Sequence, residues 1–367
     1  MLGGDMRSWA AGRQLRLTII VDNYNYARYL PYSIEAALAV RWPNKEVLVV
    51  DDGSADDSRT VIERYADRVT PLFKPNGGLN SAANLAFTHS TGDVVMFCDA
   101  DDELFDSVGE RVMERWHDGV SKVQFGQYKI DERGERIGPA WPVFTERNTP
   151  EWARRTIARC GSYDAPPTSG SAWSRRFLEQ VFPLPTKRPG DPGRWGMWFD
   201  DYLNALAPFF GDVISLTEPQ GNYRIHGRNA AGGIAFSPEY LAELCVEETL
   251  RTLAVNDVLA KRPGSPRVDI ELFYEHLKHR LIYKRLLPER YGYGDSTRAL
   301  FTKYSRATLR GDLSNRSKAM MLAWGAVMAL APRELAWVAA RAKQEPGSRS
   351  ELLQELWARV TRRSWPA

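Results

Sequence analysis

Gly92–Leu104 reads GDVVMFCDADDEL, and this stretch decides the fold. Val94–Cys98 is a continuous apolar run, the pattern of a strand buried on both faces. It runs directly into Asp99-Ala100-Asp101-Asp102. Working outward, Leu17–Val21 (LTIIV) and Glu46–Val50 (EVLVV) are strands of the same kind. The first ends at Asp22-Asn23-Tyr24 and the second at Asp51-Asp52-Gly53-Ser54. Val69–Phe73 reads as a further strand, and helical spacing fills Ala27–Ala39, Asp57–Tyr65 and Leu79–Ser90 between them. This βαβαβαβ rhythm predicts an α/β protein with a doubly wound, mainly parallel sheet. In such open sheets ligands bind beyond the carboxyl ends of the strands. Acidic residues from three strands should therefore converge on one crevice.

After Lys129 the rhythm stops. Glu132–Pro142 reads as an excursion or turn, and Ser162–Ser171 and Pro183–Gly196 as Pro/Gly-rich loops of a length that often serves as a lid or binding segment. Met197–Phe210 has a helical pattern, as do Tyr240–Leu259, Val268–Leu287, Ser317–Ala331 and Glu351–Val360. The expected division lies near Phe236, with an α/β domain over 1–236 and a mainly helical region over 237–367.

Composition is that of an ordinary globular protein, with 43% hydrophobic and 26% charged residues. A net charge of +3 is too small to point to nucleic acid. Charge is uneven, however: Phe301–Ala367 holds 12 Lys/Arg against 5 Asp/Glu, a net +7, together with Trp324, Trp337, Trp357 and Trp365. Basic amphipathic helices with aromatic residues bind membrane interfaces. A packed appendage or a homodimer contact accounts for the same residues, since buried Trp is common. Cys98, Cys160 and Cys245 show no metal-ligand spacing and read as free thiols in a reducing compartment. The N-terminus has no apolar signal-peptide core, and the longest apolar run, Ala319–Ala331, is shorter than the ~18 residues that span a bilayer. The expectation is a cytoplasmic protein, in contact with a membrane only peripherally at its inner face.

Several groups carry chemistry. The crowded carboxylates of Asp99–Asp102 repel one another unless a cation compensates, and a hard divalent ion with oxygen ligands suits them. An acidic turn capping the next helix is the alternative. Asp51-Asp52-Gly53-Ser54 suits either a helix N-cap or recognition of a nucleobase by a carboxylate. Lys74-Pro75-Asn76-Gly77-Gly78 precedes a helix, so its backbone N–H groups face a diphosphate or merely permit a turn. Asp200 and Asp201 lie among aromatic residues, which raise a carboxyl pKa and prepare it to take a proton. Tyr223–Asn229 (YRIHGRN) gathers Arg224, His226 and Arg228, suited to anionic oxygen or a metal.

Taken in order, IIVDNYNYARYL (Ile19–Leu30), VLVVDDGSADDS (Val47–Ser58), NGGLNSAANLAF (Asn76–Phe87), GDVVMFCDADDEL (Gly92–Leu104), FDDYL (Phe199–Leu203) and YRIHGRN (Tyr223–Asn229) resemble the family-two glycosyltransferases of GT-A (Rossmann-like) fold. The resemblance covers roughly Leu17–Asn229. It implies inverting transfer of a sugar from a nucleoside-diphosphate donor, a UDP-sugar, to an acceptor hydroxyl, in polysaccharide or glycoconjugate synthesis, with Mn²⁺ or Mg²⁺. Asp52 would contact the base with Asn76 nearby, and Asp22, Asn23, Tyr24, Asp51, Gly77, Ala100 and Arg224 would line the donor site. Asp99 and Asp101 would form the DxD motif, Asp99 toward the ribose and metal and Asp101 on the metal, with His226 a further ligand. Asp201 matches the general base and Asp200 its acidic neighbour. The sequence departs from the family at Asp22, where Pro is usual, and at Ala83, where many members have Arg. A nucleotidylyltransferase needs a Gly-rich basic loop after the first strand, a dinucleotide oxidoreductase G-x-G-x-x-G, and a P-loop enzyme G-x-x-x-x-G-K-[ST]; all three are missing. A degenerate fold that only binds nucleotide sugar or glycan is the other reading, against which Asp101 and Asp201 stand intact.

Overall fold

The computed structural model describes residues 14–186, 199–227, 229, 237–262, 264–265, 267–311 and 313–344. Its residues fall into two compact units. Among those described, the first takes 14–155, 164–186, 199–227 and 229, and the second takes 156–163 with the chain from 237 onward. Residues 156–163 thus group with the C-terminal helices.

The first unit opens with β1 (Leu17–Asn23), α1 (Leu30–Ala39), β2 (Lys45–Asp51), α2 (Ser58–Glu63), β3 (Thr70–Phe73), α3 (Leu79–His89) and β4 (Val94–Asp99). It continues through β5 (Glu103–Leu104), α4 (Val108–Glu114), β6 (Val120–Gln124), β7 (Gln127–Ile130), β8 (Arg136–Trp141) and the first half of α5 (Pro150–Cys160), which is divided between the units after Arg155. Next come β9 (Ser171–Ser174), α6 (Arg175–Leu178), α7 (Phe199–Phe210), β10 (Asp212–Ser215) and β11 (Gly221–Arg224). Seven strands form one sheet in the order β10-β6-β9-β4-β1-β2-β3. Every pairing in it is parallel except those of β9, which runs antiparallel between β4 and β6. The apolar runs of β1, β2 and β4 are buried, as strands covered on both faces must be.

A second sheet, β5-β11-β7-β8, corrects the reading of Glu132–Pro142 as a turn. β8 pairs antiparallel with β7 at the sheet edge, where Pro139 removes no needed ladder donor. The strand β9 escaped notice because four residues are too few to show a period.

The second unit contains α8 (Pro238–Leu259), α9 (Tyr274–Leu286), α10 (Thr297–Arg310), α11 (Asn315–Leu330) and α12 (Arg333–Gln344). Ser237, Ser296 and Ser314 cap α8, α10 and α11 by accepting a backbone N–H three residues on. Its core includes Leu277, Leu281, Leu300, Tyr304, Met328 and Ala336. Val268–Leu287 is not one helix: a 3₁₀ turn at Ile270–Leu272 ends on extended Phe273 before α9 begins. Among the described residues no helix is long and apolar enough to cross a membrane. The expected boundary at Phe236, the helix Glu351–Val360, Trp357, Trp365, Arg228 and most of the loop Pro183–Gly196 lie outside the described residues.

Candidate active site

Register sets the site. β1 lies between β2 and β4, pairing Asn23 with Asp51 and Asp22 with Asp99, so the three acidic strand ends stand at one level. Backbone bonds carry the alignment past the strands: Asp52 N–H donates to Asn23 O at 2.9 Å, and Ala100 N–H to Asp22 O at 3.1 Å.

Asp51 and Asn23 form a buried clasp. Asp51 accepts from Asn23 Nδ2 at 2.7 Å, from Ser54 N–H at 3.0 Å and from the Ser54 hydroxyl. These bonds fix the turn after β2 and cap no helix, since α2 begins farther on at Ser58 without a side-chain cap. Asp52 is also buried, ion-paired to Lys74, and accepts from Gly77 N–H at 3.0 Å and Gly78 N–H at 2.7 Å. The amides read either as facing a diphosphate or as part of a permissive turn are aimed at Asp52, a carboxylate of the same chain that supplies the anion a helix start attracts. Asn76 Nδ2 donates to Asp52 O at 3.1 Å and completes the knot. Tyr24, 48% exposed, stands outside it.

Deeper in, Asp22, Asp101 and Asp102 are buried and Asp99 half-buried. Burial, then the charge of Asp101, pushes the Asp22 carboxyl up to about 8, opposed by its own backbone hydrogen bond. Burial also raises Asp99, with Asp22 and Asp102 the next causes, and raises Asp102, with Asp101 next. Asp22 Oδ1 is buried without a hydrogen-bond partner. Ala100 has no room to offer more than backbone, being fully enclosed.

Asp101 Oδ2 meets His226 Nε2 at 3.0 Å and Asn229 Nδ2 at 3.1 Å. The His226 ring stacks on Tyr29, centroids 4.8 Å apart. The structure thus brings Asp101 and His226 together. Asp99, Asp101 and His226 do not close into a trio of ligand atoms within 4.8 Å of one another. Arg224 is 2% exposed and pairs with Glu103, while donating to Asp101 O at 2.9 Å and Asp131 O at 3.2 Å. Its charge is committed inside the protein, which corrects its placement as a donor contact. With Arg224 N–H also donating to Asp102 at 3.0 Å, it braces the DxD turn against β11.

On α7 the acids separate. Asp200 is half-buried and its charge contributes to raising both Asp22 and Asp99, whereas Asp201 is exposed. Two participants were not read from the sequence. Lys122, buried on β6, donates to Gln124 at 2.7 Å and to Asn204. Burial pulls its pKa well down, against the pull of Asp200 and Asp201. Its signal is a lysine inside an otherwise strand-like VSKVQ. Ser169 accepts from Asp99 N–H at 3.0 Å and has no sequence signal beyond its loop.

Residues 18–182 match the model of glycosyl transferase family 2. An uncharacterized glycosyltransferase of Nostoc sp. is 33% identical over 278 residues, covering 72% of this chain and 83% of the relative. The chain belongs to glycosyltransferase family 2. This family 2 glycosyltransferase also matches shorter parts of other relatives, such as one from Rickettsia prowazekii, 37% identical over 89 residues, which is 24% of this chain and 28% of that protein. It further shares its fold with TarS 1–349 of S. aureus, solved in complex with UDP-GlcNAc, at a TM-score of 0.51 and 11% identity over 90% of this chain and 92% of that one. In the glycosyltransferase described here, the acidic strand ends lie within the matched residues, and the acids of α7 lie beyond them.

Proposed function

We propose that this glycosyltransferase moves a sugar from a nucleoside-diphosphate donor to an acceptor hydroxyl, with inversion at the anomeric carbon. The observation that carries the reading is that Asp22, Asp99 and Asp101 at the ends of two adjacent strands share one electrostatic field with Asp200 of α7. The donor set fits a divalent cation, because several carboxyls here are held up by burial and then by mutual repulsion, both of which a cation would offset. Asp101 and His226, with Asp99, are the residues to hold Mn²⁺ or Mg²⁺, which when bound offsets charge on the departing diphosphate. Asp52 shapes the base-binding corner by fixing Gly77 and Gly78. Asp200 or Asp201 accepts the proton of the acceptor hydroxyl as it attacks the anomeric carbon. UDP-GlcNAc is the first donor to try, since TarS was solved with it.

Calorimetry tests the reading. Asp101→Ala should weaken UDP binding in Mn²⁺ and leave it almost unchanged in EDTA; equal loss under both conditions would make Asp101 merely structural. Release of UDP with a new glycosidic bond separates an enzyme from a binding module.

A further inference from the structure

A second cluster of ligating side chains lies in the helical unit. Cys245 and Glu248 stand three residues apart on α8, and His276 and His279 three apart on α9. That spacing places each pair on one helix face. The two helices pack together, and all four side chains are buried, Cys245 at 0% and His276 at 1% exposure. Cys245 Sγ, a Glu248 carboxylate oxygen and a His276 ring nitrogen lie within 4.8 Å of one another, the one such trio among the described residues. Glu248 reaches both imidazoles: Oε2 to His276 Nδ1 at 2.6 Å and Oε1 to His279 Nδ1 at 3.1 Å.

We propose that Cys245, Glu248, His276 and His279 form a structural zinc site that ties α8 to α9. One thiolate, one carboxylate and two imidazoles are a borderline-soft set that suits tetrahedral Zn²⁺. The charges match as well, since a thiolate and a carboxylate balance a dication and leave no net charge in the core. Arg280, whose charge is felt at Cys245, is committed to Glu271 and Asp295. Without a metal, a Glu248–imidazole ion pair accounts for three of the four residues and leaves Cys245 idle. Bond lengths of ~2.0–2.3 Å put tetrahedral ligands about 3.3–3.7 Å apart. Sγ, and the His279 nitrogen that lies outside the 4.8 Å trio, must then close in, and the 2.6 Å contact must open by about 1 Å. Binding releases the thiol proton, and any proton on the imidazoles, to solvent. Four protein ligands leave no open position, so the site holds structure rather than performing chemistry. Neither ligand pair resembles a cysteine motif, which is why three cysteines without metal spacing concealed it.

The test uses the full chain, untagged, stripped by chelation and titrated with Co²⁺. A thiolate-to-cobalt charge-transfer band should appear at one equivalent and be displaced by Zn²⁺. The chain has three cysteines, so Cys98→Ala/Cys160→Ala leaves Cys245 alone and should keep the band at full intensity. Cys245→Ser should abolish it and weaken Zn²⁺ binding by more than ~100-fold, beyond what loss of an outer-shell partner costs. Zn²⁺ should also raise the thermal midpoint of the stripped chain, and His276→Gln should remove that rise. Oxygen and imidazole ligation at Asp101 gives no thiolate band, so the two metal readings are separable. No band in the wild type with Co²⁺ in excess, a band unchanged in Cys245→Ser, or its loss in the double variant would overturn the proposal.

Discussion

Asp200 is half-buried within the field of Asp22 and Asp99, and Asp201, one residue on, is exposed. Adjacent side chains on a helix diverge by about 100°, so the crevice is open to one of them at most. The family pattern points to the second acid; burial and charge point to the first. A base must be within reach of the reacting hydroxyl before its pKa matters, so position decides. Asp200→Asn should lower turnover by ~10²–10⁴ with donor affinity near wild type, while Asp201→Asn stays within a few-fold. Steady-state kinetics with calorimetry measures both, and the reverse order of effects would restore Asp201. At this scale the acids were legible because charge at the end of an apolar run has few explanations. Their partners were not. Arg224 reads as a cation for the donor until Glu103 and two carbonyls are seen to hold it, and no local pattern connects residues 93 to 123 positions apart.

The corner after β2 shows what an element demands of one residue. Gly53 has φ +72°, and a Cβ there would lie 2.6 Å from Asn76 N, so the loops after β2 and β3 touch through bare backbone. Gly53→Ala should cost about 1–3 kcal/mol, from strained φ and from pushing the loops apart. It should also weaken nucleotide binding, because Asp52 and Gly77 move with the corner. Gly138→Ala on β8 meets nothing within 4 Å and should shift stability by no more than ~0.5 kcal/mol. Urea unfolding of the two variants makes the comparison, and equal midpoints would show the corner to be slack. The parallel strands β1, β2 and β4 were legible from their apolar runs, since burial on both faces writes itself into composition. Short antiparallel β9 and edge strand β8 were not: one is too brief for a period, and the other carries the Gly and Pro that usually mark a turn.

Across the whole molecule, the basic C-terminal segment poses the remaining question of partners. Two of its four tryptophans belong to the helical core. Trp324 Nε1 donates to Ala339 O at 2.8 Å, and Trp337 packs on the same cluster beneath Arg341. Some of the positive charge is likewise used internally: Lys303 pairs with Glu271 and Asp295, and Arg333 donates to Leu286 O. Met320, Val327 and Leu330 are exposed along α11, but that helix shows no exposed aromatic residue and carries its basic residues, Arg316 and Lys318, near one end. Interfacial helices need an apolar face, aromatic anchors and a basic flank together. α11 combines an apolar face with basic residues at one end but lacks an exposed aromatic anchor. A chain ending after Gln344 should therefore stay at the bottom of a flotation gradient with anionic vesicles, even at low salt, where electrostatic attraction is least screened. Flotation of that chain would overturn the packed-appendage reading and place a membrane contact on α11. Flotation of the full chain alone would assign the contact to residues 345–367, where Trp357 and Trp365 stand among four arginines against three glutamates.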